Sequence, residues 1–135
     1  MRRPDDEDED TRPPAARLLG RQTIDLDPGA GEATLRFEAL PAFANRHGTV
    51  QGGFLAAMLD SATGSSLIAT LPEGQTAVTT DLAVRFLRPA APGPITAKVR
   101  IVDNNVSSAE VHGALSDADG VAIASAVARF RIRSV

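Results

Sequence analysis

Between Phe54 and Leu71 the chain carries a single ionisable side chain, Asp60, in a run of apolar and small residues. A carboxylate on so apolar a segment is costly to desolvate unless it is paired or put to use. Carboxylates held this way concentrate at catalytic sites, and also in structural ion pairs. Asp60 is therefore a candidate general base or nucleophile, against the plainer reading of an Asp at a partly exposed point of the segment. Eight positions upstream the same segment opens with Gly52-Gly53. At the start of a helix the first N–H groups have no partner and the dipole places partial positive charge there. With no side chain in the way, Gly52 and Gly53 could receive a carbonyl oxygen that becomes an oxyanion; the plainer reading is a glycine turn feeding a helix.

Distance constrains how these two features could cooperate. Eight residues of helix rise about 12 Å, whereas an attacking group must come within about 3–3.5 Å of its target. One helix cannot bring both Asp60 and the Gly52 N–H to one carbonyl. Two antiparallel copies could, with Gly52 of one chain facing Asp60 of the other. If both residues are catalytic, the site is shared across a dimer.

The elements that must hold them follow from the pattern. Phe54, Leu55, Met58, Leu59, Ala62, Leu67 and Ile68 recur at helical spacing, which predicts one long helix from Gly52 to Leu71, ended by Pro72-Glu73-Gly74. A helix apolar on nearly every side should be buried on nearly every side. Before it, residues 18–26 read as a weak strand, and residues 32–39 alternate as a half-buried one, giving a hairpin across Pro28-Gly29-Ala30-Gly31. After it come strands at Val78–Phe86, Ile95–Asp103, Val106–Leu115 and Val121–Ile132. Asn104-Asn105 and Asp117-Ala118-Asp119-Gly120 supply hairpin chemistry between the last three. Two strands, one helix and four antiparallel strands imply an α+β fold whose sheet wraps one helix. Its edges favour dimerisation.

The chain has 135 residues, 43% of them apolar, which suits one domain, residues 18–135. Residues 1–17 hold six acids, including Asp5–Asp10 in an unbroken run, and four arginines, and read as a disordered acidic tail. The remainder holds eleven acids and ten bases, so nothing marks a nucleic-acid-binding face. No apolar run approaches the roughly 20 residues of a membrane span, and the charged start is unlike a signal peptide, so the expectation is a cytoplasmic protein. With no Cys and only His47 and His112, thiolate or His-rich metal sites are not expected, nor is a cofactor. His47 reads as a surface loop residue, and Asp81 with Arg85 as a surface ion pair.

The series Asn45-x-x-Gly48-x-x-Gln51-Gly52-Gly53, Met58-Leu59-Asp60, Val78-Thr79-Thr80-Asp81 and Phe86-Leu87-Arg88-Pro89 resembles the hotdog-fold thioesterases, and most of all their PaaI-like acyl-CoA thioesterase branch. The resemblance covers residues 40 to 133. It implies a hotdog fold assembled as a dimer or dimer of dimers, hydrolysing an acyl-CoA to a free acid and CoA without a metal. It implies Asp60 as general base or nucleophile, the Gly52 N–H as the donor that polarises the thioester carbonyl, and Asn45 as a residue that orients substrate or water. It places the Thr79 hydroxyl near the aspartate and the CoA nucleotide near the Val106 hairpin, with Asn105 and Ser107 as candidates. Gly53 belongs to the substrate-binding set, and Arg88 could attract a CoA phosphate. The family's usual His-Gly-Gly is Gln51-Gly52-Gly53 here. An amide donates a hydrogen bond but does not titrate near neutral pH as a histidine does. That departure keeps a second reading open, a hotdog protein that binds acyl-CoA without hydrolysing it.

Overall fold

A computed structural model describes residues 12–135. Residues 1–11, the larger part of the expected acidic tail, lie outside the described residues. The end of that stretch is not tail. Pro14–Leu18 forms a short helix, α1, with Pro at its start and Ala16 buried. Gly20, at φ 66°, closes it: the N–H of Arg21 donates to Ala16 O at 2.9 Å and that of Gly20 to Arg17 O at 3.0 Å. This left-handed glycine stop delays the first strand, so β1 is Gln22–Asp27 rather than residues 18–26.

β2 (Glu32–Ala39) pairs with β1 as the expected hairpin, and a 3-10 turn at Pro41–Phe43 leads to the long helix α2, Gly52–Thr70. Four strands follow: β3 (Gln75–Phe86), β4 (Gly93–Asn104), β5 (Ser108–Ser116) and β6 (Ala122–Ser134). Together the strands form one antiparallel sheet in the order β1-β2-β4-β5-β6-β3. The sheet order and the single central helix are those of the hotdog fold, in the α+β class. The hairpin turns are built by side chains: Asn105 Oδ1 accepts from the N–H groups of Ser107 and Ser108, and Asp117 Oδ1 from those of Asp119 and Val121. Val106, expected to begin a strand, is instead the turn's exposed apex.

The core lies between the sheet and one side of α2. Leu35, Phe37, Ile95, Val111, Leu115, Ile123 and Phe130 alternate inward to meet Leu55, Met58, Leu59 and Leu67, all buried. The helix is not covered on every side. Gly53, Ala57 and Ile68 are exposed, and Phe54, Asp60, Ser61 and Gly64 are half-buried, because within one chain the sheet reaches only one flank. The flank left open is as apolar as the covered one. β3, twelve residues long, ends the sheet beside it with one edge unpaired and Val78 and Phe86 exposed.

Alternation in β3 does not run straight through. Thr79 stands opposite Phe130 and Asp81 opposite Arg129, so Thr80 is an extra residue, a β-bulge. The bulge shifts the face of everything before it. Thr79 points to the helix side, together with Leu82, Val84 and Phe86, and Val78 turns outward.

Candidate active site

Asp60 sits in the third turn of α2, half-buried. Its Oδ1 accepts a 2.7 Å hydrogen bond from the Thr79 hydroxyl. Among the described residues no cation pairs with it. The bulge at Thr80 makes this contact possible, because it turns Thr79 to the helix side of β3. Thr63, one turn further along α2, returns its hydroxyl to Leu59 O at 2.8 Å and leaves the carboxylate alone. Arg21 is buried, and its guanidinium donates to Ser61 Oγ at 3.1 Å; Arg12 in turn donates to the Arg21 carbonyl. The start of β1 is thereby tied to α2 one residue from Asp60. A lone Arg in an otherwise weak strand was the only sequence signal for this brace.

The other end of the site is the start of α2. The first hydrogen bond of this turn runs from Phe54 N–H to Gln51 O at 2.9 Å. The N–H groups of Gly52 and Gly53 precede it, and the Gln51 side chain makes no capping bond. The loop before it is held firmly. Val50 N–H donates to Ala90 O and Gln51 N–H to Phe43 O, each at 2.8 Å, and the Phe43 and Phe54 rings stack with centroids 4.1 Å apart. A Cβ at residue 52 would stand 3.2 Å from the Phe86 ring, so glycine lets that ring lie against the helix start. Phe86, Arg88 and Gly52 border a hollow of about 310 Å³. Phe86 was legible as an apolar strand residue and as the head of the Phe86-Leu87-Arg88-Pro89 series, but not as the neighbour of Gly52.

Asn45 spends its amide on its own loop. Its Oδ1 accepts from the N–H groups of His47 (2.9 Å) and Thr49 (3.3 Å), and its Nδ2 donates to Thr49 Oγ1 at 3.1 Å. His47 is exposed on that turn. Asn105 and Ser107 are exposed at the β4–β5 turn, separate from the Asp60–Thr79 pair. Asp81 does not pair with Arg85; it faces Arg129, with 3.7 Å between charged atoms, because the register of β3 on β6 puts them opposite each other. A larger hollow of about 480 Å³ lies on the other face of the sheet, beside Thr34, Lys98 and His112, and contains none of the residues expected to react.

The structure thus joins Asp60 to Thr79, and Gly52 to Phe86 and Arg88. It does not join the two groups, because Asp60 and Gly52 lie on one continuous helix, about 12 Å apart along its axis.

A family model described as the thioesterase superfamily matches residues 47–124, which include both groups. The chain belongs to the thioesterase superfamily. Within it, this is a PaaI-like hotdog thioesterase, a thioester hydrolase. A phenylacetic acid degradation-related protein of Ralstonia eutropha JMP134 is 37% identical, with 89% of this chain and 90% of that one aligned at a TM-score of 0.87. The PaaI protein of Escherichia coli, from the phenylacetic acid degradation operon, shares the fold at 21% identity and a TM-score of 0.77, over 89% of this chain and 83% of that one. A Bacillus halodurans protein solved with CoA is 27% identical over 87% of this chain and 74% of that one, with a TM-score of 0.75. No curated protein matches the sequence. No helix among the described residues is long and apolar enough to cross a membrane.

Proposed function

We propose that this thioesterase hydrolyses acyl-CoA at sites shared between two copies of the chain. The observation that carries the reading is the half-buried Asp60, bonded to Thr79 and, among the described residues, to no cation, on an open apolar helix flank about 12 Å from the Gly52 N–H. A second copy laid antiparallel on that flank, with the free edges of β3 paired, covers the apolar surface. It brings its own Gly52 toward the first chain's Asp60. The 27% identical Bacillus protein solved with CoA supports CoA as the carrier. CoA thioesters are intracellular metabolites, so the reading carries a cytoplasmic location.

The chemistry follows from those groups. Asp60 takes a proton from water as the water oxygen bonds to the thioester carbon, or attacks that carbon itself to give a mixed anhydride that water then opens. The developing oxyanion is held by the Gly52 N–H of the second copy at a helix start. Collapse breaks the C–S bond, the thiolate takes up a proton, and the acid leaves. Thr79 fixes the carboxylate. Asn45 acts through the loop that presents Gln51, Gly52 and Gly53, and Arg88 and Phe86 wall the hollow beside the oxyanion site.

The experiment is thiol release from acyl-CoAs of varied length and aromaticity, with wild type beside Asp60→Asn. Turnover in the wild type that disappears in the variant, with the fold retained, is the expected result. Equal turnover in both removes Asp60 from the mechanism. One feature favours a second reading, an acyl-CoA-binding protein: Gln51 stands where the family has a titratable histidine. CoA binding with no turnover on any member of the panel would establish that reading instead.

A further inference from the structure

Among the described residues only two charged side chains are buried, Arg12 and Arg21, and both belong to the segment that leads into β1. A buried guanidinium is expensive to desolvate and adds little net stability even when well bonded. Where its bonds go is therefore informative. The Arg21 guanidinium donates to Ser61 Oγ at 3.1 Å, and Arg12 donates to the Arg21 carbonyl. The backbone around Arg21 is fixed as well. Its N–H donates to Ala16 O at 2.9 Å, and Glu38 N–H donates to Leu19 O at 3.0 Å. A Cβ at Gly20 would stand 3.1 Å from the Cβ of Glu38. The guanidinium thus reaches α2 from a base held against β2.

Ser61 follows Asp60 on α2, and neighbouring side chains on a helix point about 100° apart. Asp60 turns toward β3, where the Thr79 hydroxyl holds its carboxylate at 2.7 Å. Ser61 turns toward the start of β1. β1 and β3 are the two ends of the sheet order. The sheet therefore grips the helix from both of its edges at one step of the chain, and that step carries the carboxylate. The flank beside it is small and open, with Ala57 exposed and Gly64 half-buried. Without a hold on the β1 side, a small roll of the helix would carry Asp60 away from Thr79. We infer that Arg21 is a positioning residue for the reaction. Through Ser61 it fixes the roll of α2 that sets the Asp60 carboxylate against Thr79 and the substrate. The inference rests on the reading of Asp60 as base or nucleophile and adds the group that holds it from the second side. A displacement on the order of 1 Å at the reacting atoms can cost about 100-fold in rate. Arg21 holds the helix and not the substrate, so its loss belongs in kcat and not in KM.

The test is a double-mutant cycle in steady-state thiol release by the full chain, with Arg21→Met and Ser61→Ala alone and together. Methionine keeps an unbranched chain without the donor, and alanine suits the helix and removes the acceptor. Each single variant should lower kcat about tenfold with KM unchanged. The double variant should fall no further, because either change breaks the same bond. Arg21→Lys, which can still donate to Ser61, should recover part of the loss. Single losses that multiply in the double variant, a loss confined to Arg21→Met, or a fall in Tm with kcat intact overturn the inference. If Arg21→Met does not fold, Ser61→Ala alone decides the matter. The methyl NMR resonance of Thr79 gives a readout that needs no turnover. It should move in both single variants, and an unmoved resonance overturns the inference whether or not thiol is released. Turnover abolished in Asp60→Asn beside wild-type kcat in Arg21→Met and Ser61→Ala would sink the inference and leave the Asp60 reading standing. Wild-type turnover in Asp60→Asn, with the Thr79 resonance still moving in the other two, would sink the Asp60 reading and leave Arg21 as a hold on the Asp60–Thr79 pair.

Discussion

The two faces of β3 treat carboxylates in opposite ways. On the outer face Asp81 and Glu110 share the guanidinium of Arg129, and Glu110 also meets His112 at 2.9 Å. On the helix face the Asp60 carboxylate has, among the described residues, one neutral partner, the Thr79 hydroxyl. A single inserted residue, Thr80, separates the two environments, because it alone puts Thr79 and Asp81 on opposite faces. The outer carboxylates are charge-compensated, Asp81 exposed and Glu110 half-buried. The inner one is oriented by a hydroxyl and meets no cation among the described residues, as the proposed base or nucleophile would require.

The sharpest way to break this contrast is to remove each carboxylate in turn. Asp60→Asn keeps the shape and the hydrogen bond but loses the basic oxygen. It should lower kcat by a factor on the order of 100 to 10,000, the usual contribution of a positioned base. Asp81→Asn, which loses only an exposed ion pair, should leave turnover within about twofold. Steady-state thiol release on both variants decides the matter, and comparable losses would mean that the two faces are not functionally distinct.

A smaller loss is expected at the other end of the helix. In Gly52→Ala the new methyl stands 3.2 Å from the Phe86 ring, which is 57% exposed and able to shift, so the chain should fold. The methyl also crowds the approach to the N–H. Part of the oxyanion stabilisation should go, about 10- to 100-fold in kcat. Mixing this variant with Asp60→Asn tests the shared site directly. Hybrid dimers pair one intact Gly52 with one intact Asp60 and should recover activity. No recovery despite demonstrated subunit exchange would place the whole site within one chain.

Thr79→Val is nearly isosteric and removes the one hydrogen bond to Asp60. It should lower kcat about tenfold with little change in KM, and Thr79→Ser should restore it. Recovery with Ser separates orientation of the carboxylate from packing of the strand, because Ser keeps the hydroxyl and loses the methyl.

How far these relations could be read from sequence differs residue by residue. The helix, its glycine start and its lone carboxylate were legible because each is a local pattern, and the 12 Å argument needed only the rise per residue. The bulge was not. Val78, Thr80, Leu82, Val84 and Phe86 alternate without a break, and only the register against β6 reveals that Thr80 is extra. For the same reason Asp81 was matched with Arg85 on its own strand, when its true partner lies across the sheet. Helix α1 was hidden by the tail before it, although Pro14 followed by Ala-Ala-Arg-Leu is sound helix-start chemistry. Asn45 entered through the family resemblance alone, and the hydrogen bonds it makes within its own loop follow from turn geometry, which spacing does not give.

The smallest effect belongs to the outer network. The hydrogen bond with His112, and then the charge of Arg129, hold the Glu110 carboxyl below its ordinary value of 4.5. A carboxyl that titrates lower in the folded chain than in the unfolded one adds stability above the ordinary value. That contribution fades as pH falls through the folded one. Glu110→Gln should therefore lower Tm slightly at neutral pH, and the difference should close in acid as the wild-type carboxyl takes up its proton. Turnover at neutral pH should not change, since neither Glu110 nor its partners touch Asp60. Thermal melts of both chains across the acid range check the first statement and thiol release checks the second. A loss of activity without a loss of Tm would mean that the outer face of the sheet takes part in the reaction after all.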